Sequence, residues 1–285
     1  LIPLRDDVPT SRLPIVTLAL IAANVLVYLI SIRHGGSLLG GPSQAVAVHY
    51  GAIPYEFTHP AVRCDMVSSA SGLAPAVGCG SGVGLGPGFG GAGLGLGAGG
   101  GLGVGATASQ PSTALSALSS MFLHAGPVHL LGNVVFLYIF GNNVEDSMGH
   151  LRFLVFYLLG GLAALGLQIL ADPSSLAPTI GASGAIAAVL GGYILLYPRA
   201  KVMTLVFVIL FFTVVEIPAI LMLGIWFAEQ AVLGLGALGG LGGPSGPGGG
   251  DGVAYFAHVG GFLFGLLLIK LFALRTTRRL PVVSI

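Results

Sequence analysis

Three short stretches place polar side chains inside otherwise apolar sequence, and together they could carry out nucleophilic catalysis. The first is TIGASGA (179–185), in which Ser183 stands where a loop turns into an apolar helix. A serine at such a point is most often a cap, or a hydroxyl bonded to a carbonyl one turn back. The same point offers free N–H groups and the positive end of a helix dipole, which is what a developing oxyanion needs. Position 185 is Ala, so Gly181, Ser183 and Gly184 form Gly-X-Ser-Gly and not the Gly-X-Ser-X-Gly elbow of soluble hydrolases. The second stretch is HVGGFLFG (258–265), where His258 shares a helix face with Gly261 and Gly265. The third is HAGPVHLLGN (124–133), whose His129 and Asn133 are four residues apart and so stack on one helix face. These groups can bond to neighbouring helices, or donate to a tetrahedral oxyanion. Metal binding is the sharper rival, but His-Glu-X-X-His is absent and no carboxylate sits nearby, so no metal is expected.

Spacing brings the first two stretches into one picture. Ser183, Ala187 and Gly191 share a face, as do His258, Gly261 and Gly265. Faces of small residues let two membrane helices approach closely, which would bring a serine oxygen and an imidazole within about 2.6–3.2 Å. All three clusters fall near the outer ends of their helices, which points to a water-accessible pocket sunk into the outer leaflet. It would hold a nucleophile, a base and anion-stabilising donors, with no organic cofactor. No acidic third member presents itself. Glu216 falls mid-span and Glu229 nearer an outer end, and nothing couples either to His258, so a Ser–His dyad with its imidazole held by packing is the simpler expectation.

The elements that must position these residues are membrane spans. Over 285 residues the chain has eleven Lys/Arg and ten Asp/Glu, 7% charged against 54% hydrophobic, with a mean hydropathy of +0.95. So few charges cannot cover a soluble domain's surface, and a net charge of +1 gives nucleic acid no basic stripe to bind. Six runs qualify as apolar spans: 13–32, 127–140 (short unless it starts near 118), 153–171, 181–197, 202–233 and 253–274. Each reads as helix, since lipid leaves no water to satisfy backbone groups. The first could be a signal peptide, but its apolar run is too long and no small-residue cleavage site closes it. The chain starts at Leu, which leaves room for sequence upstream. With the N-terminus inside, nine of the eleven Lys/Arg face inward and only Arg33 and Arg63 face outward, so both termini are expected in the cytoplasm. The organisation expected is a cytoplasmic segment 1–12, a membrane domain 13–274 and a cytoplasmic tail 275–285. Glycine-rich runs at about 72–105 and 234–252 read as flexible outer loops without phosphate-binding character. Cys64 and Cys79 could be bridged, if their loop faces an oxidising compartment, or free.

At HAGPVHLLGN, GASGA and HVGGFLFG the chain resembles the rhomboid family of intramembrane serine proteases, with supporting matches at GNNVED (141–146) and YPRAKV (197–202). Gly-X-Ser-Gly alone is weak, whereas the ordered set of three is specific. The resemblance implies an all-α, six-transmembrane-helix rhomboid-like bundle with long glycine-rich outer loops, in a bacterial plasma (inner) membrane. It implies Ser183 as nucleophile, His258 as general base, and an oxyanion site made by the Ser183 N–H, Asn133 and His129. His124 is implied as a supporting residue, and Trp226 and Phe227 as bulky residues where transmembrane protein substrates arrive laterally from the bilayer. One departure stands out: a Trp-Arg pair common in the family's first outer loop is missing, which puts the anchoring of that loop in doubt. A catalytically inactive rhomboid-like membrane binding protein is the main alternative. A transporter is disfavoured by the absence of internal repeats. The Gly-X-Gly-Asp of aspartyl intramembrane proteases at 248–251 is expected by chance in so glycine-rich a run.

Overall fold

The structure, a computed structural model, describes residues 2–60, 62–67, 76–81, 110–208, 211–238 and 253–274. In chain order it runs β1 (Ile2–Asp6), α1 (Ile15–Arg33), the short helices α2 (Gln44–Tyr50) and α3 (Pro54–Thr58), and the antiparallel pair β2 (Val62–Val67) and β3 (Ala76–Ser81). There follow α4 (Thr113–Ser119), α5 (Pro127–Phe136), α6 (Asn142–Met148), α7 (His150–Ala171) and α8 (Ser183–Leu196). A second antiparallel pair, β4 (Lys201–Val208) and β5 (Phe211–Pro218), leads to α9 (Ala219–Leu238) and α10 (Tyr255–Phe272).

Among the described residues four helices, α1, α7, α9 and α10, are long and apolar enough to cross a bilayer. A fifth candidate is the pair Thr113–Phe122 and Pro127–Met148, bent by 83°. Within its second arm α5 passes through a π-helical turn (Leu137–Gly141) into α6, so this element extends well beyond the 127–140 read from hydropathy. Large apolar side chains such as Leu26, Ile225, Leu267 and Leu271 point outward, as on lipid-facing helices. At the centre lies α8. Its 14 residues span only about 21 Å, and every residue from 184 to 193 is buried, because glycine and alanine let α7 and α10 close on it from two sides.

The expected fifth span, 202–233, is corrected. Only its second part is helix; the first part is β4 and β5, with β4 also pairing with β1 in a three-stranded sheet. The run VMTLVFV is as apolar as a membrane helix but rich in β-branched and aromatic residues, which suit a pleated strand. Glu216 is therefore not mid-span. It lies exposed on β5 and accepts from Lys201 Nζ at 2.9 Å. At the same end of the bundle, Asp6 of β1 accepts from Tyr193 Oη of α8 and from Asn143 Nδ2, both at 2.5 Å. Burial there pushes the Asp6 carboxyl up to about 6.

The segment after α1 is anchored without the missing Trp-Arg pair. Ala52 and Thr179 exchange backbone hydrogen bonds of 3.1 and 2.8 Å, tying the segment to the loop before α8. The Ser119 hydroxyl donates to the Tyr50 carbonyl at 2.7 Å, and Tyr55 N–H to the Ser175 carbonyl at 3.1 Å. Cys64 and Cys79 face each other across β2 and β3 and are disulfide-bonded. Buried Glu56 accepts from Cys64 N–H at 2.7 Å and pairs with Arg63 at 3.5 Å. Within the glycine-rich runs, 76–81 is strand and 234–238 is the end of a helix, so these parts are regular structure and not loop. The rest of both runs, and the tail 275–285, lie outside the described residues.

Candidate active site

The sequence around Ser183 folds as it does because Gly181 takes φ +126°, a conformation that L side chains rarely adopt. That turn lets Gly181 N–H donate to the Ser120 carbonyl at 2.8 Å and points the chain into α8. Ser183 is the first residue of α8, so its own N–H has no intrahelical partner. His258 sits in the first turn of α10. The two helices meet where the sequence is smallest: a Cβ on Gly261 would lie 2.0 Å from the Gly184 carbonyl oxygen. At this approach Ser183 Oγ and His258 Nε2 are 2.8 Å apart.

The other nitrogen of the imidazole is also engaged. His258 Nδ1 lies 2.6 Å from Oε1 of Gln230 on α9. The Trp226 ring, one turn before Gln230, stands 5.7 Å from the imidazole, and Phe227 stacks on Phe262 of α10 at 4.5 Å. The ring is thus held by an amide as well as by packing. Gln230 is not singled out in the sequence, where its charged neighbour Glu229, exposed on α9, is the more conspicuous polar residue. The signal was there: an amide four residues after Trp226, on the same helix face in an apolar run.

On the opposite side of Ser183, the His129 ring packs against the backbone of Gly181, whose Cβ would meet His129 Nε2 at 2.8 Å. Ala125 N–H approaches His129 Nδ1 at 3.4 Å, which leaves the proton on Nε2. One turn along α5, Asn133 is buried and its Nδ2 has no hydrogen-bond partner. His124 is fully buried at 5.1 Å from the His129 ring; its Nδ1 donates to the Phe122 carbonyl at 3.2 Å and its Nε2 is unpartnered. Among the described residues no group of three His, Cys, Asp or Glu side chains is placed to hold a metal ion. What the arrangement can do is pass a proton from a serine hydroxyl to an imidazole, with the Asn133 Nδ2 donor left without a partner among the described residues.

Residues 111–275, more than half of the chain, match the family model described as Rhomboid domain. RHOMBOID-like protein 4 of Arabidopsis thaliana is 34% identical over 158 residues, 53% of this chain and 32% of that protein. Rhomboid protein 1, mitochondrial, of Saccharomyces cerevisiae is 29% identical over 55% of this chain and 41% of its own length. Presenilin-associated rhomboid-like protein A, mitochondrial, of Danio rerio is 28% identical over 53% of this chain and 36% of its own. The chain spans less than half the length of these relatives. Their plant and mitochondrial names give no support to the bacterial plasma membrane expected from the sequence.

Proposed function

This chain belongs to the rhomboid family and is a multi-pass membrane protein, and on that premise we propose that it is an intramembrane serine endopeptidase. The observation that carries the proposal is the 2.8 Å contact between Ser183 Oγ and His258 Nε2. In this reading the bent pair and the short α8 each count as one crossing, giving six, with both termini in the cytoplasm and the 124–133, 183 and 258 regions toward the outer face. A transmembrane protein substrate, weakened near its outer end by small or helix-breaking residues, arrives past Trp226 and Phe227 and unwinds. Unwinding is required because helical hydrogen bonds shield the scissile carbonyl.

Ser183 Oγ attacks that carbonyl while His258 Nε2 takes its proton. The oxyanion is met by the free Ser183 N–H, by Asn133 Nδ2, which has no other partner, and by His129 Nε2. His258 then protonates the leaving amine, and water from the outer side hydrolyses the acyl-enzyme by the reverse sequence. Ser183→Ala is expected to abolish cleavage of a transmembrane reporter in liposomes and labelling by a fluorophosphonate. Full residual cleavage refutes the proposal, while absent labelling of the wild-type chain favours an inactive binding protein.

A further inference from the structure

Gln230 is only 8% exposed, on a helix whose sole other charged or amide side chain is the outward-facing Glu229. Burying an amide among apolar side chains is unfavourable unless it is hydrogen-bonded, so its partner deserves an explanation. That partner is His258 Nδ1 at 2.6 Å. A carbonyl oxygen only accepts, so the bond puts the ring proton on Nδ1 and leaves the Nε2 lone pair facing Ser183 Oγ. This is the tautomer a general base requires. The opposite tautomer would aim an N–H at the serine and leave it no base.

We infer that Gln230 is a positioning residue for the proposed reaction: its side-chain carbonyl accepts a hydrogen bond from the Nδ1–H of His258, selects the productive tautomer and holds the ring on Ser183. The inference rests on the Ser183–His258 reading of the site. An amide suits this depth better than the carboxylate of a Ser–His–Asp triad. A carboxylate buried among Trp226, Phe227 and Phe262 would bear a large desolvation cost when the imidazole is neutral, whereas an amide orients the ring without charge. Cys–His–Asn proteases use a neutral third member in the same way. Trp226, on the same face of α9, closes the ring's open side, so one helix both aims and covers the base.

The test begins with the full chain in lipid, carrying 15N-labelled histidine, with the His258 signals identified by their loss in His258→Ala. The two ring nitrogens are expected to report a proton on Nδ1 in the wild type, and a mixture of tautomers in Gln230→Met. A proton on Nε2 in the wild type overturns the inference, as does an unchanged tautomer in Gln230→Met. The wild-type readout needs no activity, and the comparison is made on a Gln230→Met variant shown to be folded. In parallel, cleavage of a transmembrane reporter is expected to lose kcat by roughly 10- to 100-fold in Gln230→Met with KM little changed. Gln230→Glu, whose buried side chain is neutral when protonated and keeps a carbonyl acceptor, is expected to retain more kcat than Gln230→Met. Wild-type kcat in a folded Gln230→Met overturns the role of Gln230 and leaves the protease reading standing. Undiminished cleavage by Ser183→Ala sinks that reading instead.

Discussion

The sharpest test of the site's geometry lies one turn away from its chemistry. Gly261→Ala adds a single methyl group, yet the structure leaves no room for it, since the new Cβ would lie 2.0 Å from the Gly184 carbonyl oxygen. Non-bonded carbon and oxygen need roughly 3.5 Å, so α8 and α10 must separate by about 1.5 Å at that level. The obstacle is backbone and cannot swing aside as a flexible side chain could. Because Gly184 follows Ser183 directly and Gly261 is one turn from His258, almost all of that displacement reaches the 2.8 Å bond. A proton cannot pass directly across a gap of about 4 Å, and misplacement by about 1 Å already costs on the order of 100-fold. Gly261→Ala is therefore expected to cut reporter cleavage in liposomes by at least that factor, with fluorophosphonate labelling falling in parallel. Gly166→Ala on α7 is the control, because nothing lies within 4 Å of the added methyl, and it is expected to be silent in activity. Alanine also favours helix over glycine by about 1 kcal/mol, so intrinsic propensity predicts a gain for both variants. A Gly261→Ala enzyme that cuts at the wild-type rate would show that close packing of these helices does not set the dyad.

Asn133→Ala is expected to lower cleavage by about 100- to 1000-fold while melting close to the wild type. Removing its unpaired Nδ2 relieves a desolvation cost that offsets lost packing, and a large drop in melting temperature would make Asn133 structural instead. Reducing the Cys64–Cys79 bridge, which closes 15 residues of chain, is expected to cost about 3 kcal/mol of local stability. Limited proteolysis of the segment after α1 with and without reductant measures it, and equal rates would contradict the role given to the bridge. Stability measured in detergent is expected to fall as pH rises from about 4 to about 6, because burial raises the Asp6 pKa and the native state there holds a proton that the unfolded chain releases. Above that window this contribution is gone, and Asp6→Asn is expected to flatten the slope; an unchanged slope would assign it to other groups.

Much of the site was legible because its signals are local. Glycine and alanine at the spacing of Ser183, Ala187 and Gly191, and of Gly261 and Gly265, state directly which faces meet. Histidine and asparagine four apart state which face of α5 they share. The failures share a different cause. Hydropathy counts how apolar a run is but not whether its backbone bonds are satisfied within the segment or by a neighbour. In the described part of the run 202–217, β4 is bonded to β1, about two hundred residues away, and to its own return strand β5. The Cys64–Cys79 pairing stayed open for the same reason, since it depends on the register of β2 against a strand drawn from glycine-rich sequence. Gln230 was hidden because an amide is costly in lipid only until its partner is known, and the partner is 28 residues on.

Several costly features of this chain lie around Ser183, while others lie elsewhere, such as the unpartnered polar atoms of Asn24, Asn143 and Tyr157 and the close helix approaches at Gly191 and Gly265. Gly181 occupies a backbone region closed to other residues, α8 is too short to span about 30 Å, Asn133 and His124 each carry a buried polar atom with no partner, and two helix backbones touch at Gly261. Each of these costs stability, and a helical bundle selected only to persist would lose them: Asn133 to leucine, Gly181 to a regular turn, α8 to a full-length helix. Of these, the Gly181 turn, with the His129 ring packed on it, and the Gly184–Gly261 contact flank the Ser183 hydroxyl. On the proposed reading, the glycine turn bares the N–H beside that hydroxyl, and the unpaired Asn133 amide keeps a donor free for charge that exists only during reaction. On the proposed protease reading, the costs that fall around Ser183 are the ones catalysis explains.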